Sequence, residues 1–152
     1  MKIFGKTLKE YILPIKYYII GAILVVISQY YVAVPLSEAY GLPFILNITQ
    51  ALWAVMVALS VIKLVLFHDF NFKNVLFLGV LYSIIIHGLK AFVFRVFLFP
   101  YPDPTIGQYI LHLLNRFLYG SFLVMVIVVI LGLIFIKLKD NPEVRESSKW
   151  LK

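Results

Sequence analysis

Three basic side chains within one apolar run carry most of the chemical interest of this sequence. The run VLFLGVLYSIIIHGLKAFVFRVFLF, from Val75 to Phe99, contains His87, Lys90 and Arg95. At α-helical spacing His87, Ala91 and Arg95 follow one another at i, i+4 and i+8, and Lys90 lies at i+3 from His87. At about 100° of rotation per residue the three basic groups spread over about 140° of one broad side. An ammonium and a guanidinium on such a side complement a phosphate or a carboxylate, and an imidazole can hydrogen-bond to the same group. Two readings follow. Lys90 and Arg95 extend through lipid to place their charges among headgroups, with His87 neutral and bonded between helices. Alternatively they build an electropositive outer-leaflet pocket for an anionic ligand, a lipid headgroup or a quinone oxygen. A carboxylate on a partner protein is a third way to meet the same charges.

A second polar set precedes the last apolar run. IGQYILHLLNRF, Ile106 to Phe117, places Gln108, His112, Asn115 and Arg116 near one helical face, with Tyr119 continuing it. Ile106, Ile110, Leu113, Leu114 and Phe117 tend toward the other face. This pattern reads as an interfacial helix in the outer headgroup plane, with a bend or break near Tyr119 and Gly120. A continuous helix from Ile106 to Leu138 would measure about 50 Å and exceed the bilayer unless it tilted or projected. His87, Lys90, Arg95, His112 and Arg116 are therefore the candidate anion or lipid site. Gln29, Asn47 and Gln50 form a candidate polar interhelical cluster, either satisfying one another or lining a cavity.

Other chemistry finds few residues to work with. The chain has no cysteine, hence no disulfide, thiolate nucleophile or thiolate-bound metal. Its histidines are His68, His87 and His112. His87 and His112 are expected to differ in depth by about 10 Å or more, which disfavours a shared haem or metal. There is no HExxH, EF-hand, Walker or dinucleotide-loop sequence. Ser28, Ser60 and Ser83 are isolated hydroxyls without a carboxylate–His partner set. The expectation is no enzyme activity, no cofactor and no metal.

The elements that hold these residues are unusually apolar. Of 152 residues 62% are hydrophobic and 14% charged, against about 25% charged in an average soluble domain. That composition excludes a disordered chain and a soluble nucleic-acid binder. Four runs approach or exceed the roughly 20 residues needed to span a bilayer. They are Tyr17–Leu36, Leu46–Phe67, Val75–Phe99 and Phe117–Ile136. The first lacks a small-x-small cleavage site and reads as an uncleaved helix. Of the 14 basic residues, all but Lys90, Arg95 and Arg116 fall before the first run, around the turn at His68 to Lys73, or after the fourth run. The positive-inside rule then places both termini in the cytoplasm of a multi-pass cell-membrane protein. The fold class expected is all-α, four transmembrane helices in an antiparallel bundle, with an outer interfacial helix before the fourth as an option. One membrane domain covers residues 1–152, with a basic cytoplasmic segment at 1–16 and a basic tail at 137–152. The short HDFNFK link makes the second and third helices antiparallel neighbours. PYPDP at 100–104 stiffens the second outer loop. Tyr and Phe residues at the run ends form aromatic belts, and Trp150 rests the tail on the membrane.

The link VIKLVLFHDFNFKNVLF (Val61 to Phe77) and KAFVFR (Lys90 to Arg95), within a four-span layout, coarsely resemble the phosphate-starvation-inducible family of small membrane proteins over about Ala51 to Leu138. That resemblance implies a four-span fold and assigns no reaction. The leading functional expectation is a non-catalytic accessory or scaffold subunit of a larger membrane complex, contacting lipids and other integral membrane subunits or further copies of itself. The alternative is a small oligomeric transporter or channel with an outer-half anion or lipid site. A membrane enzyme comes third.

Overall fold

The computed structural model describes residues 2–98 and 105–139. Phe99, the PYPDP segment at 100–104 with Tyr101, and the tail beyond 139 with Trp150 lie outside the described residues. The chain opens with a two-stranded hairpin, β1 (Lys2–Ile3) and β2 (Lys6–Thr7), in antiparallel register with Lys2 opposite Thr7 and Ile3 opposite Lys6. Its turn uses positive φ at Phe4 (49°) and Gly5 (86°), the twist that two-residue hairpins favour. Thr7 then caps α1 (Leu8–Ile12) through a capping box with Glu10. The Thr7 N–H donates to Glu10 Oε2 at 2.6 Å and the Glu10 N–H to Thr7 Oγ1 at 3.3 Å.

From there helix follows helix. A 3-10 turn at Leu13–Ile15, with Pro14 in its first turn, leads into α2 (Lys16–Ser28), a π-helical segment at Gln29–Ala33 and α3 (Val34–Tyr40). Gly41 ends this first long helix with φ 64°, and the Leu42 N–H donates to Ser37 O at 3.2 Å. The second long helix is α4 (Phe44–His68). Asp69 closes it in the left-handed region, and the Phe70 N–H donates to Leu64 O at 3.3 Å. The third comprises α5 (Phe72–Tyr82), a second π-helical segment at Ser83–Phe94 and the short α6 (Arg95–Phe97). Asn71 and Asn74 cap its start reciprocally. The fourth is α7 (Ile106–Lys139).

Four helices, Leu8–Tyr40, Phe44–His68, Phe72–Phe97 and Ile106–Lys139, are long and apolar enough to cross a membrane. The first begins and ends outside the apolar run Tyr17–Leu36, because the capping box and Gly41, not the edges of apolarity, set its limits. The fourth runs through Tyr119 and Gly120 as one α-helix, in place of the break expected there. Gly120 is buried against the third helix and serves close packing, so its lack of a Cβ relieves a contact and opens no bend.

Close backbone contacts join the first helix to α4, α4 to α7, and α7 to both α5 and the Ser83–Phe94 segment. α4 and the third helix, although linked by three residues, meet mainly through long side chains across the centre. Ser60 Oγ bonds with Tyr82 OH at 2.5 Å, and Trp53 packs edge-on to His87. Small residues allow the closest helix approach. A Cβ at Gly132 would lie 2.6 Å from Val75 Cγ1, and one at Gly79 would lie 2.6 Å from Met125 Sδ. Such glycine contacts are a common way for apolar helices to pack when no water is displaced.

The core around the 69–74 link is closed. Tyr11, fully buried, packs edge-on to Phe70 and Phe77 at 4.9 Å each. Asn74 Nδ2 donates to Tyr11 OH at 2.7 Å and to Phe4 O at 3.1 Å, tying the hairpin to the third helix. Lys6 Nζ donates to His68 O at 3.1 Å, and Lys139 pairs with Asp69 at 2.6 Å. Large apolar side chains cover the exterior, including Leu24 on α2, Val55 on α4, Ile84 on the third helix and Phe122 on α7. A surface of this kind suits hydrocarbon.

Candidate functional site

At the end of the bundle away from the 69–74 link, the helices leave a cavity of about 600 Å³. Each long helix contributes. Gln29 and Tyr30 come from the first, Gln50 and Trp53 from α4, and His87, Lys90 and Ala91 from the third. α7 supplies His112, Asn115, Arg116, Tyr119, Gly120 and Leu123. Gln29, Trp53, His87 and Lys90 are buried, whereas Asn115, Arg116 and Tyr119 are exposed. The first four therefore form the inner wall and the α7 residues the mouth.

Both π-helical segments border this cavity. In each, backbone bonds span five residues: the Val34 N–H donates to Gln29 O and the Arg95 N–H to Lys90 O. Ser83, His87 and Ala91 form one buried line, and Ile86, Lys90 and Phe94 form a second beside it. His87 and Lys90, both buried, line the cavity together. Tyr30, in the first π segment, clamps the second. Its hydroxyl donates to Lys90 O at 3.4 Å and its ring stacks on Phe94 at 4.6 Å with 4° between planes.

Lys90 is 8% exposed. Its Nζ donates to Gln50 Oε1 at 3.3 Å and lies 5.5 Å from the Trp53 ring centroid. Gln50 Oε1 also accepts from Trp53 Nε1 at 2.5 Å. No carboxylate meets Lys90: Asp69–Lys139 is the sole salt bridge among the described residues. The His87 ring lies between Trp53, at 5.3 Å and 89°, and Gly120, where a Cβ would overlap it. His87 Nε2 and Gln29 Oε1 are buried atoms without a hydrogen-bond partner. At the mouth Arg116 Nε donates to His112 Nε2 at 3.1 Å, which leaves the outer guanidinium nitrogens for other acceptors.

The five residues expected to form an anion site thus divide. His87, Lys90, His112 and Arg116 line one cavity. Arg95 does not line it; half-buried beside Phe94, it interacts with the Tyr30 hydroxyl and lies within electrostatic reach of His112 and Arg116. His87 and His112 line the same cavity, yet His112 stands eight residues along the continuous α7 from Gly120, which packs on His87, so about 12 Å of helix separates their levels, as expected. Of the expected polar cluster, Gln29 and Gln50 line the cavity while Asn47 is exposed elsewhere.

Neither Trp53 nor Tyr30 was expected at the site, and Gly120 was expected to mark a bend. The structure makes them the cation platform, the clamp and the packing point of the cavity. Gly120 was the one detectable signal, since a glycine in a long apolar helix often marks close approach. Among the described residues no three His, Cys, Asp or Glu side chains gather as a metal site.

Comparison with protein-family models, curated proteins and solved structures yields no match for this chain. The coarse resemblance to the phosphate-starvation-inducible membrane family therefore gains no support from them.

Proposed function

We propose that this protein is a non-catalytic, multi-pass cell-membrane protein that binds an anionic headgroup in the outer half of an antiparallel four-helix bundle, with both termini cytoplasmic. The observation that carries this reading is Lys90, a buried cation with no counter-charge among the described residues, on the inner wall of a cavity with Arg116 at its mouth. Buried charges are normally paired, and a protein that retains one beside an open cavity is suited to receive the missing partner from a ligand. The guanidinium fork adds planar recognition of phosphate or carboxylate. Trp53 and Gln50 hold the ammonium in place before the ligand arrives.

The placement in the membrane rests on separate support. The hairpin, the 69–74 link and Lys139 share one end of the bundle, and most basic residues lie there or in the termini. This distribution favours that end as cytoplasmic. At about 1.5 Å per residue α7 exceeds the hydrocarbon thickness, so its first turns extend past the outer boundary and bring Arg116 to headgroup depth. A subunit that only scaffolds others needs no such cavity, so we favour headgroup binding as the working role of the fold.

Native mass spectrometry of protein purified in mild detergent with anionic lipid tests the reading. Lys90→Met and Arg116→Met, which keep most of the apolar stem, should each lower retention of the anion by about tenfold or more. Arg95→Met, off the cavity, should lower it less. Unchanged retention across all three folded variants would retire the site in favour of simple snorkelling.

A further inference from the structure

Lys90 and Arg116 offer only donors, so an anion with several acceptor oxygens satisfies them. Two inner-wall atoms ask for something else. Gln29 is 8% exposed and its Oε1 is buried without a partner. His87 is 6% exposed and its Nε2 is likewise unpartnered. Both residues line the cavity with Lys90. With the amide oriented as the structure places it, Gln29 Oε1 can only accept, and a phosphate or carboxylate oxygen set against it supplies no proton. His87 Nε2 suits either half of the ligand, as a donor in one tautomer and an acceptor in the other.

Building on the headgroup reading, we infer that the ligand is a polyol phosphate ester, of the glycerol-phosphate type, whose phosphate meets Lys90 and Arg116 and whose hydroxyl donates to Gln29 Oε1. A hydroxyl supplies the donor without adding charge. An ammonium would also donate, but it would bring a second positive charge beside Lys90. The volume, about 600 Å³, lies within the usual range of small-molecule pockets and exceeds what a bare phosphate fills. The ester can come from a phospholipid or from a free polyol phosphate, and the chemistry at the inner wall is the same for both.

The test compares phosphatidylglycerol with phosphatidylmethanol in neutral phosphatidylcholine nanodiscs. The two lipids carry the same phosphodiester charge, and only the first has headgroup hydroxyls. The parent protein should retain phosphatidylglycerol about tenfold over phosphatidylmethanol, the scale of satisfying one buried acceptor. Gln29→Leu should bring that ratio close to one while leaving the Lys90-dependent retention of anions in place. In a soluble arm, competition by glycerol 3-phosphate but not by inorganic phosphate assigns the ester to a free source. Lipid selectivity without such competition assigns it to the bilayer.

Equal retention of the two lipids by the parent, with both lost in Lys90→Met, would overturn the hydroxyl contact and leave the anion site standing. A preserved preference in folded Gln29→Leu would overturn the assignment to Gln29. Failure of the parent to retain either lipid or to bind the soluble ester would overturn the inference and the headgroup reading together. If Gln29→Leu does not fold, the two-lipid ratio on the parent decides the hydroxyl question alone.

Discussion

Gly120→Ala is the sharpest probe of how α7 and the third helix build the cavity. A Cβ at this position would overlap the ring of His87, and the ring has little room to retreat because Trp53 packs edge-on behind it at 5.3 Å. Forcing one methyl into a packed site costs about 1–3 kcal/mol. Displacing the imidazole from Trp53 forfeits up to about 1 kcal/mol of ring contact. Alanine returns about 1 kcal/mol through its higher helix propensity. The net loss is about 2 kcal/mol, or a fall of roughly 4–8 °C in Tm for a chain of this size.

Two other glycines grade the argument. Gly79→Ala meets Met125 Sδ, on a flexible side chain, and should cost less. Gly88→Ala, whose nearest neighbour is Ile84 Cγ2 at 3.9 Å, meets no steric cost and should raise stability by up to about 1 kcal/mol. Thermal unfolding in detergent followed by tryptophan fluorescence reads both stability and the Trp53 environment. Gly120→Ala with parental Tm and an unshifted Trp53 emission would refute the close approach on which the cavity geometry depends.

Further perturbations address other parts of the fold. Tyr82→Phe removes the central Ser60–Tyr82 bond, while Ser60 keeps its bond to Met56 O, so chemical unfolding should register a loss of about 1 kcal/mol. Asn74→Ala frees Phe4 O and Tyr11 OH and deletes half of the Asn71–Asn74 cap. It should destabilise the chain by about 2 kcal/mol and speed amide exchange across residues 2–7, whereas unchanged exchange there would count against the tie. The chain has no native cysteine, so single cysteines report topology cleanly. Impermeant reagent should label Tyr40→Cys and Thr105→Cys from outside and spare Leu8→Cys and Lys73→Cys, and outside labelling at Leu8 would reverse the orientation.

Apolar run length made the four helices legible in the sequence, because crossing hydrocarbon demands a number of residues that composition reveals directly. The polar stripe His112, Asn115, Arg116 and Tyr119 was legible as one face, and that face turns to the cavity. Periodicity identifies a face but does not say what it meets. Lys90 and Arg95 stand about 140° apart at α-helical spacing, but which of the two meets the bundle centre was not legible, because periodicity fixes the angle between residues and not what each one faces. The hairpin at Lys2–Thr7 escaped notice for a related reason: Phe4 adopts a positive φ that glycine or asparagine usually signals. Gln29 and Gln50 line the cavity together, while Asn47 fell on the exposed side, since depth along a helix does not fix rotation about it.

The central claim is that Lys90 receives its counter-charge from an anionic headgroup inside the bundle. An experimental density map of the protein in nanodiscs containing phosphatidylglycerol tests it most directly. The account predicts headgroup density in the cavity, with phosphate oxygens within hydrogen-bond distance of Lys90 Nζ and the Arg116 guanidinium. A cavity holding only water, with lipid phosphates confined to the outer rim, would contradict it.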